Sequence, residues 1–132
     1  VIEHAHIAHA IDTSPLNRGR IGAEWLASPG NIPITFDNGD IALFDDEGDR
    51  VFQVHFLFNS RGKEAIANAR EAFRAMFEEH GADTLFGLTP VSLHHARLFN
   101  RWIGGVFVGV RETPAGPCAL YVLSKTKWKL AQ

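Results

Sequence analysis

The chain has 132 residues, enough for one domain and too few for two comfortable cores. Its 45% hydrophobic and 21% charged content is ordinary for a globular fold, and a net charge of −2 lacks the broad basic face that non-specific nucleic-acid binding needs. No apolar run reaches the roughly 20 residues that span a bilayer, and the single cysteine, Cys118, cannot form an internal disulfide, so a reducing or redox-indifferent compartment is expected, with a cytoplasmic location away from membranes.

At the N-terminus no secretory leader is evident, and Val1 in place of Met leads us to expect a trimmed start. Ile2 to Ile11 and Arg18 to Ala27 are helix candidates, the second with Ile21, Trp25 and Leu26 on one side and Ser28-Pro-Gly30 as its stop. Strands follow at Ile32–Phe36 and Ile41–Phe44, joined through Asn38-Gly39, a pair that tolerates positive φ and signals a hairpin. The polar run Asp45-Asp-Glu-Gly-Asp49 turns the chain into Val51–Phe58, an apolar, aromatic and β-branched strand. It resembles a Ca²⁺ loop only in charge, without the alternating ligand register, so a solvated turn is expected.

Lys63 to His80 is predicted to be a long helix, because Ile66, Ala69, Phe73, Met76 and Phe77 recur at three- and four-residue spacing and Gly81 ends the pattern. A strand at Thr84–Leu88 leads to a second helix, Ser92 to Ile103, with Ser92 as N-cap and Leu93, Ala96, Phe99 and Ile103 on one face. After Gly104-Gly105 come strands Val106–Val110 and Cys118–Leu123, joined by a loop from Arg111 to Pro117. Because a helix crossover joins Val51–Phe58 to Thr84–Leu88, these two strands are predicted to lie side by side, parallel, and splayed at their C-terminal ends. The class is α/β, or α+β with a largely antiparallel sheet and helices on both faces. Between the first of these strands and the long helix lies Asn59-Ser-Arg-Gly-Lys-Glu64. A strand ending at a turn that opens a helix aims unpaired backbone N–H groups at one spot, a ready anion site.

From Ile32 to Trp128 the chain resembles the GNAT superfamily of N-acetyltransferases. That family reads its cofactor through a turn of pattern Gln/Arg-x-x-Gly-x-Gly/Ala. Laid on Arg61-Gly-Lys-Glu-Ala-Ile66, Arg61 is in place, while Glu64 and Ile66 hold the two small positions. Leu93-His-His-Ala96 and Phe99-Asn-Arg-Trp-Ile103 then lead to Gly104-Gly105. Ala96 and Gly104 fit the family, but Leu93 and Asn100 stand where an Asn and the Tyr general acid belong. The resemblance implies a single domain over residues 1–132 with a GNAT-like, mostly antiparallel sheet of about six strands and helices on both faces. It implies an N-acyltransferase that moves an acetyl group from acetyl-CoA, its co-substrate, to an amine acceptor. The cofactor contacts it implies are Phe56, Phe58, Arg61, Gly62, Lys63, Glu64 and Ala65, with His95 within reach of a phosphate or adenine. Degenerate members are familiar in tailed-bacteriophage genomes. The alternative is therefore a phage-encoded, catalytically inactive GNAT-fold protein, a structural or interaction component partnered by a second copy or a virion protein, in the host cytoplasm or the virion.

An attacking amine must lose a proton, and His55 is the best base: with Gln53 it is polar on a strand whose other side is Phe52, Val54, Phe56 and Phe58. The plainer role for such a residue is a half-buried sheet histidine bonded to a neighbour. A carboxylate at Glu64 is favoured by the helix dipole but sits badly beside an anionic ligand unless it points away. No metal site is expected: of His4, His6 and His9 only the last two share a helical face, and no acid or cysteine cluster joins them.

Overall fold

A computed structural model of the protein describes residues 23–132. The predicted helix at Ile2–Ile11, the start of the one at Arg18–Ala27, and His4, His6 and His9 lie outside the described residues. A 3-10 helix, Ala23–Ala27, precedes β1 (Ile32–Thr35), β2 (Ile41–Asp46), β3 (Val51–Leu57), α1 (Gly62–Glu78), β4 (Thr84–Pro90), α2 (His94–Trp102), β5 (Val106–Thr113), β6 (Gly116–Ser124) and α3 (Lys125–Leu130). The strands form a six-stranded sheet in the order β1-β2-β3-β4-β6-β5. All neighbours are antiparallel except β3 and β4, which are parallel as the helix crossover between them requires.

One face of the sheet carries the main core. Ala69, Ala72, Phe73, Met76 and Phe77 of α1 pack on Ala42, Phe44, Phe52 and Leu85, with Phe99 and Ile103 from around α2 and Trp128 of α3 alongside. Each fully buried large side chain of this set contributes about 1.5–3 kcal/mol. On the other face Ile41, Leu43 and Leu57 are covered by Trp25 and Leu26 of the 3-10 helix. Period-two alternation along β3 thus sends Phe52, Val54, Phe56 and Phe58 toward α1 and α2, and Val51, Gln53, His55 and Leu57 away from them.

Local differences from the sequence expectations have physical causes. The β1–β2 loop takes three residues: the Gly39 N–H donates to the Phe36 carbonyl at 3.0 Å and only Gly39 has positive φ, +93°, a type I turn closed by a bulge. Ser92 does not cap α2, which starts at His94 after Leu93, and no side chain caps it. The β5–β6 hairpin is longer than expected, since Arg111, Glu112 and Thr113 pair with Cys118, Pro117 and Gly116. The six-residue α3 is too short to show a helical period. Ser124 opens it by accepting from the Lys127 N–H at 3.1 Å, and Trp128 stacks on Phe77 with ring centres 5.2 Å apart.

Candidate functional site

β3 and β4 stay paired for three residues only, Val51 with Thr84, Phe52 with Leu85 and Gln53 with Phe86. Beyond that register β3 follows β2 as far as Leu57, while β4 follows β6 as far as Pro90. The sheet therefore opens as a wedge, and backbone groups of the two strands that face into it have no ladder partner across the gap. At its root is a void of about 20 Å³, lined by Val54, Gly87, Asn100 and Tyr121 among others, with room for about one water. Gly87 keeps this space open, for a methyl there would lie 3.6 Å from Val54 and 3.8 Å from the Asn100 side-chain oxygen. The Asn100 amide donates to Thr89 Oγ1 at 2.8 Å and to the Ala96 carbonyl at 3.0 Å. Tyr121 is buried, and its hydroxyl accepts from Arg97 Nε at 3.2 Å.

The turn into α1 stands at the C-terminal end of β3. Arg61 is extended at φ −137°, and no side-chain cap bond closes the helix start. Gly62 swings into the helix at φ +61°, a left-handed conformation that explains why glycine occupies it. The N–H groups of Gly62, Lys63 and Glu64 open the helix toward solvent, beside the exposed side chains of Arg61 and Lys63. Two of the preceding amides, those of Asn59 and Ser60, are committed elsewhere. Asp40, wholly buried, accepts from the Asn59 N–H at 2.7 Å and the Ser60 N–H at 3.0 Å, and also from Ser60 Oγ, Asn68 Nδ2 and Asn38 Nδ2. Burial opposes its ionisation, but the hydrogen bonds from Ser60, Asn68 and Asn38 prevail and hold its carboxyl below the usual range. The same Asn38 amide donates to Glu64 Oε1 at 2.6 Å, tying that carboxylate to the β1–β2 loop.

On the opposite face, His55 Nε2 lies 2.8 Å from Asp45 Oδ2, and the Trp25 indole N–H donates to the other Asp45 oxygen. The predicted site residues therefore fall in four places. Arg61, Gly62, Lys63 and Glu64 form the helix start, while Ala65 is buried on its core side. Phe56 and Phe58 are half-buried in an edge-to-face cluster with Phe36 and Phe99 that braces the β3 side of the wedge. His55 projects to the other face, and His95 is exposed in the first turn of α2. Asp40, Asn38, Asn68, Asp45 and Gly87 carry no sequence signal of their role, because their partners are remote in the chain. Among the described residues no group of three or more His, Cys, Asp or Glu is gathered to hold a metal, and no helix is long and apolar enough to cross a membrane.

No protein-family model matches this sequence, and no curated protein matches it. Solved structures do. Aminoglycoside acetyltransferase AAC(6')-Ib, in complex with coenzyme A and kanamycin, superposes with a TM-score of 0.66 at 18% identity over 80% of this chain and 73% of its own. A probable acetyltransferase gives 0.69 at 16% identity over 95% and 89%. A GNAT-family acetyltransferase from Bacillus anthracis gives 0.61 at 13% over 73% and 66%. The fold is that of the GNAT acetyltransferases, with the six-stranded, mostly antiparallel sheet expected from the resemblance.

Proposed function

We propose that the protein is an N-acyltransferase that moves an acetyl group from acetyl-CoA to an amine. The observation that carries this is the juxtaposition of two openings: a wedge in the sheet after Gln53 and Phe86, and an uncapped helix start where β3 ends. An extended arm with a thioester would lie along the unpaired strand edges, and its pyrophosphate would meet the amides of Gly62, Lys63 and Glu64 with the charges of Arg61 and Lys63. Glu64, drawn toward Asn38, keeps its charge on the β1–β2 side.

The chemistry needs little from the chain. The amine nitrogen attacks the thioester carbonyl carbon, the new C–N bond forms, and the C–S bond breaks. His55 takes the proton that the nitrogen loses and returns it to solvent, and the departing thiolate takes a proton from water. Asn100, where the family places a tyrosine, has no proton to give at neutral pH. The GNAT fold by itself does not decide the reaction.

The test is thermal shift with acetyl-CoA, then thiol release with a panel of amines. Ligand at about 100 times its Kd adds about 2.7 kcal/mol to stability, a readily seen rise in Tm. Arg61→Ala is expected to diminish that rise, Glu64→Gly to preserve or enlarge it, and His55→Gln to lower kcat by about 10² to 10⁴ fold. The absence of any shift with millimolar acetyl-CoA, in the parent and in Glu64→Gly, would refute the proposal. One observation favours a second reading, that of a GNAT-shaped interaction protein: the edge strand β5 exposes Val106, Phe107, Val108 and Val110, an apolar edge suited to a second copy or a virion protein.

A further inference from the structure

We propose that Asp45 is a positioning residue that holds the His55 ring as its Nε2–H tautomer and so makes Nδ1 the nitrogen that takes the amine proton. The inference rests on the acyl-transfer reading for the word "amine", but the tautomer assignment stands on geometry alone. In the β2–β3 ladder Leu43 faces His55 and Asp45 faces Gln53, so Asp45 and His55 are diagonal neighbours. Asp45 Oδ2 and His55 Nε2 are 2.8 Å apart, and the two side chains are only 26% and 20% exposed.

An ionised carboxylate has no proton to donate, so the ring nitrogen facing it must carry one. A neutral imidazole has a single N–H, which leaves Nδ1 with the lone pair. Trp25 completes the device. Its indole N–H is a donor only and occupies Asp45 Oδ1, while its ring is seated on Ile41, Leu43 and Leu57. Asp45 is thereby held on both sides, Oδ1 by Trp25 and Oδ2 by His55, and this fixes which oxygen faces the ring. When Nδ1 gains the proton, the resulting imidazolium already has a carboxylate at its back, the logic by which an acid orients and steadies a histidine base.

The sharpest test replaces the carboxylate by an amide. In Asp45→Asn one oxygen must serve two donors. Because Trp25 has only an N–H to offer, the oxygen is expected to turn to it and the Asn NH₂ to His55. That NH₂ needs an acceptor, so the ring should convert to its Nδ1–H form and lose the basic nitrogen at that position. Long-range ¹H–¹⁵N spectra of ¹⁵N-histidine-labelled protein at mildly alkaline pH report the tautomer, with the His55 signals identified by their loss in His55→Gln. The expected result is Nε2–H in the parent and Nδ1–H in Asp45→Asn, with kcat for thiol release down about 10² to 10⁴ fold and KM for acetyl-CoA little changed. A parent ring found as Nδ1–H, or still doubly protonated at that pH, would overturn the assignment, as would a variant with an unchanged tautomer. Active protein with no tautomer change in the variant would remove the assignment and keep acyl transfer. A silent parent that shows the conversion would keep the assignment and remove acyl transfer together with the proton-acceptor role.

Discussion

Replacing Asp40 by Asn separates the turn's architecture from its chemistry. One Asp40 oxygen accepts the Asn59 and Ser60 amides, and the other accepts Ser60 Oγ and the side-chain amides of Asn38 and Asn68. Asparagine would keep the first pair on its oxygen and turn an NH₂ toward three donors. Bonds to an ionised acceptor contribute about 1.5–3 kcal/mol each. Ser60 can rotate to accept and Asn38 is exposed, so the net loss is set at about 2–4 kcal/mol rather than the full sum. At about 4 °C per kcal/mol for a domain of this size, Tm should fall by about 8–16 °C. The pH dependence is specific. The folded pKa of Asp40 lies below its unfolded value of 3.8, so its contribution is present above that value and is lost as pH falls through the folded one. Melting curves of parent and variant should stay well apart at neutral pH and begin to converge below about pH 4, meeting only once pH passes below the depressed folded pKa, where protonated Asp40 behaves like the amide. A gap that is constant with pH, or a variant that melts with the parent, would refute the account of the turn.

Two glycines give opposite expectations. A methyl on Gly87 meets only ordinary contacts, so Gly87→Ala should melt at or slightly above the parent, yet it narrows the wedge and should lose most of the acetyl-CoA-induced rise in Tm. Equal ligand response in parent and variant would show that no arm lies beside that strand. Gly105→Ala would set a methyl 2.9 Å from the Asn100 carbonyl oxygen and 3.2 Å from Tyr121 Cβ; a cost of about 1–3 kcal/mol is expected, checked by urea unfolding.

What could be read from the chain alone was whatever depends on neighbours in sequence. The stripe of α1, the parallel pairing of β3 with β4 and the Arg61-Gly62 helix start each follow from local pattern or from the length of a crossover. The positive φ of Gly62 is local in the same sense. Its consequence for an anion is not, because the amides available to a ligand depend on which ones the fold has already used. Asp40 stands 19 and 20 residues from the amides it occupies, and in sequence it is only the polar end of a hairpin loop.

The same distance effect governs the histidine. His55 was legible as a polar interruption of an aromatic strand, and its side of the sheet followed from the period of two. Asp45 read as the first residue of a solvated acidic turn, although it lies at the end of β2 and faces inward between Trp25 and His55. Its neighbours Asp46 and Glu47 are exposed, so composition alone cannot separate the acid that orients a ring from those that keep a turn in water. The ladder register does separate them: once Leu43 is opposite His55, only the acid two residues further on shares the histidine's face. A candidate pair assembled from diagonal neighbours on two strands therefore becomes visible only when the register is known, whereas the candidate anion turn at the start of α1 is a pattern within a run of six residues.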